Sequence, residues 1–407
     1  MLVQFSVGNF LSFKDIKTLS LEASSISEHK SNVFVANKEK LLKSAVLYGA
    51  NASGKSNLLK AMATMRELIL NSLLISSFWG GEFINIEPFR LDPETEHQPS
   101  FFEIVFIKDK TIRYGFELDR KKIHTEWLFI DEKEMFTREF QNINVSKSFP
   151  EGKNLEDKTR ENVLFLTVVN SFNGTWSKKI VDWFKGFYTI SGIRHQQYFL
   201  ETIKLLENSQ TKANVIELFK NLDLGFEDLI IKENQGITID IDGIRIGNGK
   251  SIYTIHKRFN QKTGSYEPVE FSLKNNESAG TQKIFDLAGV ILQTLLKGKV
   301  LIVDELDTKL HPLLTLSLIK LFNSEENKKN AQLIFATHDT NLLAYGNFRR
   351  DQIYFVEKDN QGASDLYSLV EIKEVRSQNN FEKQYIEGKY GAIPFIGDLS
   401  KILQSNE

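Results

Sequence analysis

Short apolar runs, each followed by small or polar residues, are the main pattern along this chain. Residues 44–48 read Ser-Ala-Val-Leu-Tyr, and residues 300–303 and 333–336 are similarly short and apolar. Runs of this kind are typical of strands that are buried on both faces of a parallel sheet. Apolar residues also recur at helical spacing after residue 55 and after residue 283. The pattern therefore predicts an α/β fold.

Apolar and polar positions alternate elsewhere, as in strands that are buried on one face. Residues 1–22 predict two β segments joined by a turn, which would form an N-terminal antiparallel layer. The same alternation predicts a further antiparallel sheet from three segments: 101–107, 112–118 and 123–130. The remaining segments predict a polar loop over 140–160, mainly helices over 161–222, with one from 176 to 187, and short strands over 226–272.

These segments suggest a head with a mixed sheet flanked by helices, interrupted by an inserted β-plus-helical subdomain. We assign the head to residues 1–74 and 271–407 and the insertion to residues 75–270. The chain of 407 residues is long enough for two or three packed units. Near its end, residues 353–356 and 366–370 predict a hairpin that belongs to the head.

The amino-acid composition limits the kinds of binding site and cellular location that we expect for this chain. Cysteine is absent, which excludes disulfides and thiolate metal sites and fits a cytoplasmic location. The N-terminus does not resemble a signal peptide, and no segment approaches the ~20 apolar residues that a membrane-spanning helix needs. The net charge is −2, so the chain lacks the basic surplus that is typical of nucleic-acid-binding proteins. A local basic face, and hence nucleic-acid binding, stays possible.

The most specific motif follows the first apolar run. Residues 49–56 match the pattern G-x-x-x-x-G-K-[ST], which cradles nucleotide phosphates with backbone N–H groups. Lys55 is expected to reach the β- and γ-phosphates, and the Ser56 hydroxyl to bind Mg²⁺. The alternative is a Gly/Ser turn that matches by chance. The predicted ATP-binding residues are Gly49, Ala50, Asn51, Ala52, Ser53, Gly54, Lys55, Ser56 and Asn57.

Two carboxylates end the apolar run at 300–303. Asp304 is placed to hold Mg²⁺ through water, and Glu305 to orient or deprotonate an attacking water molecule. The alternative for this pair is a strand-to-helix turn with an acidic cap. The run at 333–336 ends similarly, and His338 is a candidate to hydrogen-bond a γ-phosphate. His311 precedes Pro312 and is better explained as a helix cap than as a ligand.

The order of these motifs resembles that of ATPases of the ATP-binding-cassette clan. A short Ser-Ala-Gly segment, residues 278–280, starts a helical run just before the acidic strand. The resemblance implies that Ser278, Ala279 and Gly280 form a signature that caps the γ-phosphate bound by a second subunit. It also implies that Asp307 lies in a D-loop that contacts the other nucleotide site. Ordinary helix capping is the alternative for both Ser278 and Asp307.

Two further segments resemble particular families within this clan. Residues 7–13 resemble the opening of chromosome-maintenance (SMC) and recombination-repair ATPases, which implies that Ser12 and Phe13 lie near the adenine. Residues 385–394 resemble the closing segment of RloA-like and abortive-infection (AbiL-type) prokaryotic AAA-type ATPases, cousins of the overcoming-lysogenisation-defect (OLD) ATPases. OLD proteins carry a nuclease domain after the corresponding histidine, and residues 339–407 are expected to be too short for one.

The resemblance implies an ATPase with ATP and Mg²⁺ as cofactors. It would act as a homodimer or higher homo-oligomer that closes around two ATP·Mg, in anti-phage defence, with an effector protein encoded nearby. Two alternatives stay open. One is an SMC-like DNA-processing ATPase that binds nucleic acid directly. The other is a scaffold that stores a toxin and in which ATP is structural.

Overall fold

The structure is a computed structural model that describes residues 1–78, 86–191, 198–240, 243–344, 346–376 and 379–394. Side chains are described for these residues except 75–78, 234–240 and 243–249. The last part of the predicted head, residues 395–407, lies outside the described residues. Within them, no helix is both long enough and apolar enough to span a lipid bilayer.

Runs of consecutive strands are separated by helices along the chain. The strands are β1 Leu2–Gly8, β2 Lys17–Ser20, β3 Val33–Ala36, β4 Glu39–Leu42, β5 Ser44–Tyr48, β6 Ser100–Lys108, β7 Lys110–Leu118, β8 Ile123–Ile130, β9 Lys133–Glu139, β10 Asn142–Val145, β11 Phe187–Ser191, β12 Asp228–Asp240, β13 Gly243–Asn260, β14 Ser265–Ser272, β15 Val300–Asp304, β16 Gln332–Ala336, β17 Ile353–Lys358 and β18 Ser364–Ser368. The helices are α1 Lys55–Phe78, α2 Phe165–Ser171, α3 Thr175–Phe184, α4 Phe199–Glu207, α5 Ser209–Asn221, α6 Leu273–Asn276, α7 Ala279–Lys297, α8 Pro312–Asn323, α9 Asn341–Ala344 and α10 Phe381–Ile386.

A six-stranded mixed sheet forms the centre of the fold, in the order β11-β15-β16-β5-β17-β18. Its first five strands are parallel, and β18 returns antiparallel to β17. The three apolar runs that predicted buried strands are β5, β15 and β16, which are adjacent. Their carboxyl ends therefore meet at one edge, where open α/β sheets bind ligands. The predicted α/β fold is confirmed.

Helices cover both faces of this sheet because alternate residues of each strand enter different cores. Ala45 and Leu47 of β5 join a core with α1 and the antiparallel sheet. Val46 and Tyr48 join a second core with α7 and α8. The phosphate loop is therefore carried by a strand whose five residues are all buried.

The predicted N-terminal β layer belongs to a larger antiparallel sheet with the order β10-β9-β8-β7-β6-β1-β2. Strand β1, from the predicted head, pairs with β6, from the predicted insertion. Strand β11 also comes from the predicted insertion, yet it pairs with β15 of the central sheet. The predicted boundaries at residues 74 and 271 therefore do not coincide with the edges of either sheet.

Three segment predictions need correction. The helix expected over 176–187 ends at Phe184, and Phe187 begins a strand, because this apolar segment is buried beside β15. The loop expected over 140–160 contains β10, which extends the antiparallel sheet through its pairing with β9. The strands expected to be short over 226–272 include β12 and β13, with 13 and 18 residues. They form a separate three-stranded sheet with β14.

A buried carboxylate joins the antiparallel sheet to α2. Glu126 of β8 accepts hydrogen bonds from the backbone N–H groups of Phe165 and Leu166, at 2.7 and 3.0 Å, and from the Tyr114 hydroxyl at 2.9 Å. Arg138 lies 3.6 Å from it, and both side chains are fully buried. Burial raises the pKa of Glu126, and Arg138 opposes that rise. Glu126 thus satisfies the unpaired N–H groups at the start of the helix.

Candidate functional site

The phosphate loop lies between β5 and α1, as predicted. The Lys55 ammonium donates hydrogen bonds to the carbonyl oxygens of Gly49 and Ala50, at 2.7 and 3.0 Å. Its side chain is buried, which lowers its pKa to about 8 although Asp304 and Glu305 favour the charged form. The loop therefore curls around a positive charge that only its own carbonyls and nearby carboxylates balance.

Asp304 ends β15 beside the start of α1. Burial raises its pKa, whereas a hydrogen bond with the Ser56 hydroxyl lowers it. The other oxygen of this carboxylate, Oδ1, is buried without a hydrogen-bond partner among the described residues. A hydroxyl and a carboxylate are oxygen ligands of the kind that Mg²⁺ prefers. The two residues predicted to bind the metal are thus brought together.

Other unpaired polar atoms lie in the loops at the same edge of the sheet. Within the described residues, Ser53 Oγ, Asp307 Oδ1 and Asp339 Oδ2 are also buried without partners. Buried polar groups are rarely left unpaired, because each costs roughly 1–3 kcal/mol. Their concentration around Lys55 and Asp304 fits a polar ligand with its own donors and acceptors, such as a hydrated metal–phosphate group.

Glu305 and His338 lie at the same edge. Glu305 has a φ of 53°, in the left-handed region that few residues other than glycine adopt, and its carboxylate accepts a hydrogen bond from the Thr308 hydroxyl at 3.1 Å. Partial burial and the nearby Lys55 charge lower the pKa of His338. Its imidazole is therefore neutral at pH 7 and can donate one hydrogen bond.

A network of hydroxyl groups supports the phosphate loop from outside. Ser364 of β18 donates to the carbonyl of Ser53 at 2.6 Å, and its hydroxyl oxygen is within hydrogen-bond distance of the Ser12 hydroxyl, at 2.7 Å. Asn57 also donates to the Ser12 hydroxyl, at 2.7 Å. A Cβ on Gly54 would lie 2.2 Å from the Ser364 hydroxyl, so only glycine fits there. Ser364 was missed, since nothing near it in the sequence marks a site.

The placement of two predicted adenine contacts differs from the expectation. Phe13 is fully buried in the core shared by α1 and the antiparallel sheet, so its ring offers no free face to a base. Ser12 lies against the phosphate loop, and its hydroxyl is already bonded to Asn57 and Ser364. Ser12 therefore supports the loop in this structure, Phe13 belongs to the core, and neither side chain offers a free surface to an adenine base.

The predicted signature lies at the amino-terminal end of α7. Ser278 is the N-cap of α7, where its hydroxyl accepts a hydrogen bond from the Thr281 amide at 3.1 Å. Ser278 and Ala279 are exposed, and Gly280 is half-buried. A Cβ on Gly280 would lie 2.9 Å from the Lys309 carbonyl, which brings the helix start close to the loop after β15. The positive end of α7 therefore faces outward.

A buried lysine that sequence reasoning missed joins α7 to that loop. Lys283 is fully buried, and its ammonium donates to the carbonyls of Glu305, Leu306 and Thr308, at 3.2, 3.0 and 2.7 Å. Burial lowers its pKa to about 8, opposed mainly by Asp307. A lysine at a helical position next to apolar residues carries no distinctive signal, because such side chains usually extend to solvent.

His311 and Asp307 were both candidates to cap the helix that follows them, α8. His311 is the N-cap of α8 and accepts a hydrogen bond from the Leu313 amide at 3.2 Å, which confirms the predicted cap. Asp307 therefore does not cap that helix. Asp307 lies five residues before the first residue of α8. Its negative charge favours the ammonium forms of both Lys55 and Lys283.

Comparisons with known proteins give one family match. A family model described as "AAA domain, putative AbiEii toxin, Type IV TA system" matches residues 44–344. The search of curated proteins found no match.

Solved structures with a similar arrangement share little sequence with the chain. The SMC head domain from Thermotoga maritima has a TM-score of 0.44 and 14% identity, over 90% of this chain and 98% of that one. The Smc head domain of Pyrococcus furiosus, bound to the C-terminal domain of ScpA, has a TM-score of 0.42 and 11% identity, over 90% and 96%. The cbiO1 protein from Clostridium perfringens, part of an ABC transporter complex, has a TM-score of 0.32 and 10% identity, over 91% and 90%. These scores are low, so the description of the fold rests on the chain's own sheet order and loop geometry.

Proposed function

The chain belongs to the family described as "AAA domain, putative AbiEii toxin, Type IV TA system", and from this membership and the geometry of the site we propose that it binds and hydrolyses ATP with Mg²⁺. Two copies close around two nucleotides, and each copy completes the site of the other. The ATPase serves as the switching component of a prokaryotic anti-phage defence system, in which a separate chain is the effector.

One observation carries the proposal of a nucleotide site. Unpaired carboxylate oxygens of Asp304 and Asp307 are buried at the carboxyl edge of the central sheet, and both charges favour the ammonium form of Lys55. A triphosphate with its metal supplies partners for the ammonium and for both carboxylates at once. Buried polar groups are rarely left without a partner, so this combination supports a ligand here.

The residues present fit such a ligand. The backbone amides of the loop, together with the amino end of α1, favour an anion. Lys55 would release the Gly49 and Ala50 carbonyls and turn to the β- and γ-phosphate oxygens. Ser56 and Asp304 would hold Mg²⁺, which neutralises phosphate charge when it is bound.

Glu305 is the proposed general base for the attacking water molecule. Its position directly after Asp304 puts a second carboxylate at the edge where the γ-phosphate would lie, and Thr308 fixes one of its oxygens. Glu305 orients the attacking water molecule and accepts its proton. His338, which is neutral because its pKa is lowered, can donate a hydrogen bond to a γ-phosphate oxygen without adding charge.

The exposed start of α7 supports the proposal of a shared site. Ser278 and Ala279 are exposed and carry the positive end of a 19-residue helix. A helix start of this kind favours an anion such as a γ-phosphate. The partner in the proposal is the γ-phosphate held by a second copy, so ATP joins the two copies and hydrolysis releases them.

The test uses Glu305→Gln, with Glu326→Gln as the matched control, since Glu326 is exposed after α8. The Glu305 variant should bind ATP like the wild type, lose most of its turnover and accumulate as a dimer when light scattering is measured with ATP and Mg²⁺. The control should turn ATP over normally. Normal turnover by the Glu305 variant, or a nucleotide-independent monomer, would refute the proposal.

A further inference from the structure

The segment between residues 381 and 392, here called the closing segment, packs against the base of the phosphate loop. It contains α10 and the turn that follows. Tyr385 is buried in it, and the centroid of its ring lies 5.7 Å from that of Tyr48 and 5.3 Å from that of Phe355. Tyr48 is the last residue of β5, directly before Gly49. The closing segment thus adjoins the point at which the loop leaves the sheet.

The hydroxyl of Tyr385 adds a polar connection to this packing. It donates a hydrogen bond to the Ala392 carbonyl at 3.0 Å. Burial raises the pKa of Tyr385 to about 12, and a hydrogen bond with the Gly49 backbone opposes the rise. The hydroxyl is therefore protonated over the physiological range. It donates to the Ala392 carbonyl, which ties the ring that packs on Tyr48 to the end of the closing segment.

The carbonyl side of the same glycine is bonded to Lys55. A Cβ on Gly49 would lie 2.3 Å from the Val356 carbonyl of β17, so its backbone is also held closely by the neighbouring strand. Gly49 is consequently fixed from several directions.

The closing segment also contacts the loop that carries His338. Thr340 and Glu382 of α10 are hydrogen-bonded at 3.4 Å, and the Tyr48 hydroxyl donates to the Asp339 carbonyl at 3.1 Å. α10 therefore contacts Tyr48, at the end of β5, through Tyr385, and Thr340, in the loop after β16, through Glu382. The loops after β5 and β16 both carry residues of the proposed ATP site.

The end of the closing segment is fixed on the terminal hairpin. The Tyr367 hydroxyl of β18 donates to the Tyr390 carbonyl at 2.7 Å. Gly391 has a φ of 69°, and a Cβ there would lie 2.6 Å from a Glu357 carboxylate oxygen. The left-handed backbone at Gly391 favours glycine where the turn meets the hairpin.

We propose that Tyr385 is a positioning residue for the phosphate loop, and that the closing segment is built to hold the loop in its nucleotide-binding conformation. The proposal rests on the proposed ATP site. It assigns Tyr385 no contact with substrate. Its hydroxyl, bonded to the Ala392 carbonyl, fixes the ring against Tyr48, directly before Gly49, and the consequence is an effect on nucleotide affinity.

Tyr385→Phe tests this directly, because it removes the hydroxyl and keeps the ring. Tyr390→Phe is the matched control: its hydroxyl, in the same segment, bonds Gln384 at 2.5 Å, and its ring does not pack on Tyr48 among the described ring contacts. Binding of the fluorescent nucleotide mant-ATP with Mg²⁺ is measured for the full chain, together with KM, kcat and the melting temperature without nucleotide.

Loss of one hydrogen bond that orders the loop should raise the Kd and KM of Tyr385→Phe about three- to tenfold relative to Tyr390→Phe. The kcat at saturating ATP should change less than KM. Equal Kd and KM in the two variants, whatever their melting temperatures, would overturn the role of Tyr385. If the wild type itself does not bind mant-ATP, the proposed function fails, which is a different result.

Discussion

The ammonium nitrogen of Lys283 and the carbonyl oxygen of Thr308 are 2.7 Å apart, which joins the helix of the proposed signature to the loop after the acidic strand. Two further carbonyls of that loop, those of Glu305 and Leu306, accept from the same ammonium. The loop that carries Glu305 and the helix that carries Ser278 are therefore one unit. A displacement of either is transmitted to the other through a buried cation.

Lys283→Met should separate these two elements. Three carbonyls would lose their donor, and the position of Glu305 would no longer be fixed. We expect kcat to fall by at least about tenfold, the cost of roughly one charge-assisted hydrogen bond, while the Kd for mant-ATP changes little because Lys55 is intact. Steady-state turnover measures kcat, and titration with mant-ATP measures the Kd.

Lys297→Met is the control for this variant, since Lys297 is an exposed lysine near the end of the same helix. It should leave turnover unchanged. Turnover of Lys283→Met equal to that of the control would show that the link does not position Glu305.

Nucleotide affinity should depend on pH through Lys55. Its pKa is lowered to about 8 by burial, and only its charged form attracts phosphate. The affinity for ATP should therefore be flat below pH 8 and fall above it, by about tenfold per pH unit at the limit. Titrations between pH 6.5 and about 9.5 test this range. An affinity that stays constant up to pH 9.5 would contradict it.

The folding stability of the nucleotide-free chain should depend on the charge of Lys55 in the opposite direction. The unfolded chain keeps the Lys55 proton up to its ordinary pKa of 10.5, whereas the folded chain loses it near 8. The unfolded state binds more protons between these values, so the contribution of Lys55 to stability rises with pH across that window. Binding and stability should thus respond to pH in opposite directions.

The sequence predicted the parts of the site that carry a specific motif. The loop at 49–56 and the carboxylates at 304 and 305 follow buried apolar strands, and the structure places those strands side by side. Such strands are recognisable because burial on both faces demands a continuous apolar run.

The residues that were missed act through tertiary contacts. Ser364 lies 311 positions from its partner Ser53, and Lys283 bonds to backbone carbonyls that any sequence would supply. Phe13 was expected near the adenine by resemblance, but an aromatic residue in a hairpin is equally suited to a core. Likewise, nothing local in residues 187–191 indicates that this strand pairs with β15.

The buried carboxylate of Glu126 provides a test of the fold that does not depend on the site. Glu126→Ala would leave Arg138 buried without its counter-charge, and the Phe165 and Leu166 amides without a partner. Breaking a buried pair in this way costs about 3–5 kcal/mol. The variant should melt several degrees below Glu134→Ala, in which an exposed carboxylate of β9 is removed. Equal melting temperatures would contradict a structural role for Glu126.

Mixing two inactive variants tests the shared site most directly. Lys55→Ala loses its own phosphate loop but keeps its signature, whereas Ser278→Arg keeps its loop and blocks its signature. Each should be inactive alone. If half of the dimers in an equal mixture are mixed and each contains one complete site, the mixture should recover about a quarter of the wild-type rate. An inactive mixture of folded variants that exchange subunits, or full activity of Ser278→Arg alone, would contradict a site completed by a second copy.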